Sequence, residues 1–121
     1  ATAKMLNVGI DNITYVPFDL YSQEELGVEK SNVFMIDAGH KYPEVIYDID
    51  RCIQMSADGD SYIIFDDYGL NTHEENVKKA VDECIEKNKI EVVKKIGYQK
   101  GHEFAHKFLK DSEGLICRIV K

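Results

Sequence analysis

The segment 61–69, Ser-Tyr-Ile-Ile-Phe-Asp-Asp-Tyr-Gly, constrains the fold of this 121-residue chain more than any other stretch. An apolar run bounded by turn residues is typical of a strand buried in a sheet. Open α/β sheets carry their functional residues at the carboxyl ends of such strands. Because Asp66 and Asp67 would lose hydration at that position, they need a cation, hydrogen-bond donors or contact with water. They are therefore the first candidates for a functional site.

Strand and helix patterns alternate along the rest of the chain. Runs of β-branched and aromatic residues predict strands over 13–16, 32–37, 61–66 and 90–96, and a hairpin with strands 104–109 and 115–120. Helical periodicity predicts a helix from Pro43 to about Met55, with Asp48 off its apolar stripe. A second helix is predicted over 73–87, preceded by a capping box that joins Thr72 to Glu75. Shorter helical pieces are predicted at 2–9 and 23–26.

This order of elements predicts one α/β domain covering residues 1–121. Strands that alternate with helices indicate a mostly parallel sheet with flanking helices, and the last two strands add an antiparallel hairpin at the C-terminal end. The length is close to the commonest domain size, and no Pro-, Gly- or Ser-rich linker interrupts the chain.

Composition excludes several classes of function. The formal net charge is −7, which argues against nucleic acid or an anionic membrane as the main partner. No apolar stretch approaches the roughly 20 residues that span a bilayer, and no signal peptide is visible. The three cysteines are widely spaced and lie in apolar patterns, as buried free thiols do. These features predict a cytoplasmic protein.

A second strand-end acid joins the first pair. Asp37 ends the strand 32–37, one strand–helix–strand unit before Asp66, and His40 follows in the same loop. A right-handed crossover brings the carboxyl ends of such strands together, so Asp37, Asp66 and Asp67 predict a site for Mg²⁺ or another divalent cation. His40 is a candidate proton acceptor. The alternative is that these acids cap helices or bind turn backbone, and that His40 is an exposed loop residue.

Three motifs together carry a family resemblance. They are Phe-Met-Ile-Asp-Ala-Gly-His-Lys-Tyr at 34–42 with Asp48 after it, Ile-Ile-Phe-Asp-Asp-Tyr at 63–68, and Val-Lys-Lys-Ala-Val-Asp at 77–82. In this order they resemble class I S-adenosylmethionine-dependent O-methyltransferases, especially the macrocin O-methyltransferase group that methylates sugar hydroxyls. The resemblance covers about residues 30–85 and implies a Rossmann-like methyltransferase fold.

The resemblance also implies roles for single residues. Asp37 matches an acid that binds the metal and acts as a base, and Asp66 and Asp67 match the other two metal-ligand positions. His40 falls where this group carries a loop histidine, which makes it a second catalytic candidate. Asp19 resembles the acid that contacts the adenine of the cofactor S-adenosylmethionine, although the glycine usually found before that acid is absent. The implied substrate is a small molecule or sugar with a free hydroxyl.

The glycine-rich cofactor loop of the family has no counterpart here. Close approach of backbone to the cofactor requires glycines at a strand–helix turn, and only Gly9 precedes Gly27. The chain is therefore expected to correspond to the C-terminal part of an incomplete methyltransferase domain, and to be inactive alone. The strand 32–37 would then have an unpaired edge, which we expect to be covered by the strand 13–16, by a missing N-terminal segment or by a second copy in a homodimer.

Two other functions stay open at this stage. The chain can be a non-catalytic α/β module that dimerises or binds a partner through the sheet edge, with its acids serving as turn and cap residues. It can also be a fragment of a longer enzyme, in which case its function is that of the whole methyltransferase.

Overall fold

The structure, a computed structural model, describes residues 13–14, 16, 21, 27–70, 72, 74–98 and 110–121. Within these residues the chain forms four strands and two helices. In chain order they are β1 (Val33–Ile36), α1 (Tyr42–Gln54), β2 (Tyr62–Phe65), α2 (Val77–Glu86), β3 (Ile90–Ile96) and β4 (Gly114–Ile119). The elements predicted from the pattern over 32–37, 43–55, 61–66, 73–87, 90–96 and 115–120 are confirmed, with bounds that differ by four residues or fewer.

The four strands form one sheet in the order β1-β2-β4-β3. β1 and β2 are parallel, with Ile36 opposite Phe65. β4 pairs antiparallel with β2 on one side and with β3 on the other. β1, β2 and β3 consequently run in one direction, and β4 runs in the opposite direction between the last two.

The mixed α/β character is as predicted, but the prediction of a mostly parallel sheet is not confirmed. Two of the three strand pairings are antiparallel, because β4 lies between β2 and β3 and separates strands that would otherwise have been parallel neighbours. The predicted hairpin partner of β4, at 104–109, lies outside the described residues. Among the described strands, β4 pairs with β2 and β3.

Both helices contribute to the core that covers one face of the sheet. Alternation in β2 buries Ile63 and Phe65, and alternation in β4 buries Leu115, Cys117 and Ile119. From the helices, the same cluster receives Val45, Ile49, Val77, Ala80, Val81 and Cys84. Of the three free cysteines, Cys84 and Cys117 are buried as predicted and Cys52 is partly buried.

Helix α1 corrects one sequence-based placement. Asp48 was expected off the apolar stripe, yet its side chain is only 4% exposed. It stands three residues after Val45 and directly before Ile49, and residues three and four apart share a helix face. Asp48 is therefore on the buried face of α1, among apolar side chains.

The opposite face of the sheet is less covered by the described residues. Val33 is 59% and Met35 is 66% exposed, and both belong to β1, at the edge of the sheet. The three described residues of the predicted strand 13–16 are not in a strand, so that strand does not pair with β1 through them. The predicted helical pieces 2–9 and 23–26 lie outside the described residues. None of the described helices is long and apolar enough to cross a membrane.

Candidate metal centre

The parallel pairing of β1 with β2 brings two acidic loops to one edge of the sheet. Ile36 and Phe65 are register partners, and the Asp66 amide donates to the Ile36 carbonyl at 3.1 Å. Asp37 and Asp66 therefore leave the sheet side by side. This convergence is the one expected from the order strand–helix–strand.

Three side chains meet at this edge: Asp37, His40 and Asp67. Each offers one ligand atom, and these atoms lie within 4.8 Å of one another. The His40 Nε2 atom is 3.0 Å from Asp67 Oδ2, and both side chains are about one third exposed. Asp37 is more exposed. Two carboxylates and an imidazole at this spacing can surround a divalent cation that water can still reach.

The second nitrogen of His40 contacts Glu75. The distance from His40 Nδ1 to Glu75 Oε1 is 3.0 Å, so the imidazole lies between two carboxylates. The hydrogen bond to Glu75 is the main cause that raises the pKa of His40 above its ordinary value, and the charge of Asp67 adds to it against the effect of burial. This is the arrangement in which a carboxylate fixes the orientation of a metal-binding histidine.

Asp67 has an unusual environment and an unusual backbone. Burial raises the pKa of its carboxyl, and the neighbouring charge of Asp66 raises it further, while His40 lowers it. Its φ of 55° lies in the left-handed region, which aspartate and asparagine tolerate better than most residues. This turn reverses the chain direction directly after β2.

Asp66 is not a member of the group formed by Asp37, His40 and Asp67. It lines a shallow depression together with Met35 and Ile64, on the sheet face opposite the helices. Its assignment as a metal ligand stays a prediction from sequence.

Hydrogen bonds hold the loops of the site in place. The Asn76 amide donates to the His40 carbonyl at 2.9 Å, which ties the loop after β1 to the start of α2. The Tyr68 hydroxyl donates to Asp82 Oδ1 at 2.7 Å, and Lys78 Nζ donates to Asp82 Oδ2 at 2.6 Å. Tyr68 is 4% exposed, so the residue after Asp67 is anchored in the core.

Glu75 was missed as a site residue because of its place in the predicted capping box. Half of that box is present, since the Glu75 amide donates to Thr72 Oγ1 at 3.0 Å. The Glu75 carboxylate, however, contacts His40. Glu75 precedes the helix, which begins at Val77 and not at the predicted position 73, so its side chain can reach the neighbouring loop. No signal in the sequence indicated this contact.

Replacement of Glu75 by glutamine is expected to lower the pKa of His40. The charged hydrogen-bond acceptor that favours the imidazolium form would be lost, while Asp67 would remain. An NMR titration of the His40 ring protons measures this change, and Glu74→Gln, at the adjacent exposed acid, is the matched control. Equal shifts in the two variants would show that general charge, and not the contact to Glu75, sets the His40 pKa.

Asp19, the expected adenine contact, lies outside the described residues, so its role stays a prediction. Of the predicted metal ligands, the structure brings Asp37 and Asp67 together, and it places His40 beside them, which makes His40 a candidate ligand as well as a candidate base. No protein-family model, curated protein or solved structure matches this chain. The function must therefore be inferred from the motifs and from the geometry of the site.

Proposed function

We propose that this chain is the acceptor-binding part of an S-adenosylmethionine-dependent, metal-assisted O-methyltransferase that acts on a hydroxyl of a small molecule or sugar. The observation that carries this proposal is the convergence of Asp37, His40 and Asp67 within 4.8 Å at the carboxyl ends of two parallel strands. The motifs that resemble the macrocin O-methyltransferase group contain all three residues. We also propose a cytoplasmic location, with which three free cysteines agree.

The side chains of the site fit a divalent cation. Carboxylates suit Mg²⁺ and Mn²⁺, and an imidazole among the ligands favours Mn²⁺ over Mg²⁺. Such a cation acidifies a hydroxyl that approaches it. Asp37, His40 and Asp67 would hold the ion through one atom each, and Glu75 would keep the imidazole oriented through Nδ1.

The proton of the acceptor hydroxyl needs a base at the same edge. Asp37 is the more exposed carboxylate of the group, and it can take this proton while Asp67 and His40 stay in contact with each other. His40 is less suited to this role, because its hydrogen bond to Glu75 raises its pKa and keeps a proton on the ring.

The strand–helix turn after β1 does not offer S-adenosylmethionine an open, glycine-rich surface. The strand–helix turn after β1 has one glycine, Gly39, and a Cβ atom there would meet Glu44 Oε2 at 2.1 Å. Glu44 thus fills the space over this turn, and its carboxylate accepts a hydrogen bond from the Lys41 amide at 3.2 Å. We assign to these residues the acceptor and the cation only, and the methyl donor to another segment or chain.

Catechol is a suitable probe for this function, because its two adjacent hydroxyls chelate metals and its ionisation changes its ultraviolet absorption. With Mn²⁺ held by an excess of the protein, catechol should ionise at a lower pH than with the protein alone, and the Asp67→Asn variant should reduce the difference. Calorimetric titration with S-adenosylmethionine, with and without Mn²⁺, should show no binding by this chain alone. Unchanged catechol ionisation, or tight cofactor binding, would contradict the proposed division of roles.

A second candidate is a module that dimerises through β1. The observation in its favour is that β1 is at the sheet edge and exposes Val33 and Met35. Unpaired strand edges with apolar side chains recruit further strands.

If this edge joins two chains, Met35→Lys should shift the protein from dimer to monomer in analytical ultracentrifugation, since two like charges would face each other. Val93→Lys is the matched control, because Val93 is 54% exposed on β3 at the opposite edge. A wild-type protein that is monomeric at all concentrations, or a dimer that only Val93→Lys disrupts, would exclude β1 as the interface.

A further inference from the structure

A cavity of about 560 Å³ lies between β1, α1 and the residues 28–31. Most of its wall is apolar and consists of Val28, Phe34, Met35, Ile36, Cys52 and Met55. Cavities of this size with mostly apolar walls and a few polar groups are the usual form of small-molecule sites. The cavity can therefore enclose the apolar body of a ligand.

Asp48 is the buried polar residue of this wall. Its Oδ2 atom accepts a hydrogen bond from the Tyr21 hydroxyl at 3.3 Å. Its Oδ1 atom is buried and has no hydrogen-bond partner among the described residues, and no described lysine, arginine or histidine forms an ion pair with the carboxylate. A carboxylate that is 4% exposed with an unused acceptor atom is rare unless something completes its contacts.

The surroundings of Asp48 disfavour its charged form. Burial raises the pKa of Asp48 to about 6, the charge of Glu44 adds to this, and the Tyr21 hydroxyl opposes it. Burial likewise raises the pKa of Cys52, one helical turn away, to about 12. In such surroundings a charged partner gains more from the carboxylate than it would in water.

The charges around the cavity favour a positive ligand. Glu29 and Asp37 belong to its wall in addition to Asp48, whereas Arg51 is the only basic residue among the described residues that line it. The Arg51 guanidinium lies 5.2 Å from the centre of the Tyr47 ring and donates to the Tyr47 hydroxyl. The wall thus carries more negative than positive groups.

We propose that this cavity binds a small molecule in which an apolar body carries a primary ammonium group, with the ammonium paired to Asp48. An ammonium supplies both a positive charge and three hydrogen-bond donors, so it satisfies the charge of Asp48 and its unused oxygen together. A hydroxyl would supply a donor without the charge. Asp48 is not part of the metal centre, and this inference does not rest on the proposed methyltransferase function.

Three probes with the same apolar body, a phenylbutyl group, separate these contributions: 4-phenylbutylammonium, 4-phenylbutan-1-ol and 5-phenylpentanoate. We expect the ammonium to bind with a dissociation constant of about 1 mM or lower, as ligands of this size do in apolar pockets. The alcohol should bind about tenfold or more weakly, because a charge-assisted hydrogen bond is lost, and the carboxylate should not bind. Calorimetry gives the affinities, and NMR of labelled methionine methyl groups shows whether Met35 and Met55 of the cavity wall respond.

Asp48→Asn preserves the shape of the side chain and should weaken ammonium binding about tenfold or more, to the level of the alcohol. Asp50→Asn, on the same helix but paired with Lys89 at 2.7 Å, should leave the affinity unchanged. The inference is overturned if the ammonium does not bind, if the alcohol binds equally well, or if Asp48→Asn and Asp50→Asn have the same effect. In wild-type protein, binding that leaves both methionine signals unmoved would also overturn it.

Discussion

Replacement of Asp67 by asparagine should weaken Mn²⁺ binding by about tenfold or more, as should Asp37→Asn. Loss of residues that only orient a metal ligand commonly reduces affinity about 10- to 100-fold, so loss of a direct ligand should cost at least as much. Asparagine is the right replacement at position 67 because it tolerates the φ of 55° that Asp67 adopts. Electron paramagnetic resonance of free Mn²⁺ measures the dissociation constants.

Asp66→Asn is the matched control for this experiment. It removes the same charge from the adjacent position, but Asp66 lies outside the group of three side chains that meet within 4.8 Å. Only its long-range attraction for the cation would be lost, which is worth about two- to threefold in affinity. An effect of Asp66→Asn equal to that of Asp67→Asn would support the ligand set predicted from sequence, and it would contradict the proposal that Asp37, His40 and Asp67 alone hold the cation. No Mn²⁺ binding by the wild-type protein would exclude both.

The second large effect is expected at Asp48, in the dependence of stability on pH. Burial raises the pKa of this carboxyl from 3.8 to about 6 in the folded protein, so the folded state binds a proton more tightly than the unfolded state. Stability contributed by this group is thus present below pH 3.8, falls as the pH rises from 3.8 to about 6, and is absent above that value. The difference corresponds to about 3 kcal/mol in the free energy of unfolding.

The Asp48→Asn variant should not lose stability through ionisation of this side chain as the pH rises. Its free energy of unfolding, measured with urea, should therefore gain about 3 kcal/mol relative to the wild type between about pH 4 and pH 7. Asp50→Asn should follow the wild-type curve, since Asp50 pairs with Lys89 near the surface. Parallel curves for Asp48→Asn and the wild type would show that Asp48 is hydrated or paired in the folded protein.

His40 affects stability in a different range of pH. Its pKa is raised above its ordinary value of 6.5 in the folded protein, chiefly by the hydrogen bond to Glu75, so its contribution is complete below pH 6.5 and is lost at higher pH as the folded protein releases the proton. Because His40 is present in both the wild type and Asp48→Asn, its effect cancels in the stability difference between them.

The elements of the fold were largely predictable from local pattern, and their arrangement was not. The apolar run 62–65 and the helical stripe of α1 are set by neighbouring residues. The position of β4 depends on residues about 50 positions apart, because Ile63 pairs with Cys117. Strand periodicity does not reveal this pairing, which is why the prediction of a mostly parallel sheet is not confirmed in the described residues.

Part of the candidate metal centre was predictable from the sequence, and part was not. Asp37 and Asp67 could be brought together because the right-handed crossover rule places strands β1 and β2 side by side. Glu75 could not be assigned to the site from sequence. Its contact with His40 spans 35 positions, and its sequence context indicated a helix cap. The burial of Asp48 could have been predicted from its spacing. It lies three residues after Val45 and one before Ile49, and a helix places these positions on one face.

The place of β4 in the sheet has a consequence for the order of folding. β4 follows the other three strands along the chain, yet it is the strand that joins β3 to β2. Until β4 is in place, the pair of β1 and β2 and the unit of α2 and β3 have no strand pairing with each other. Pairings between distant residues form slowly because loop closure must come first. Assembly of the sheet should therefore be limited by the docking of β4, and partly folded chains would expose the apolar edge of β2 to other molecules.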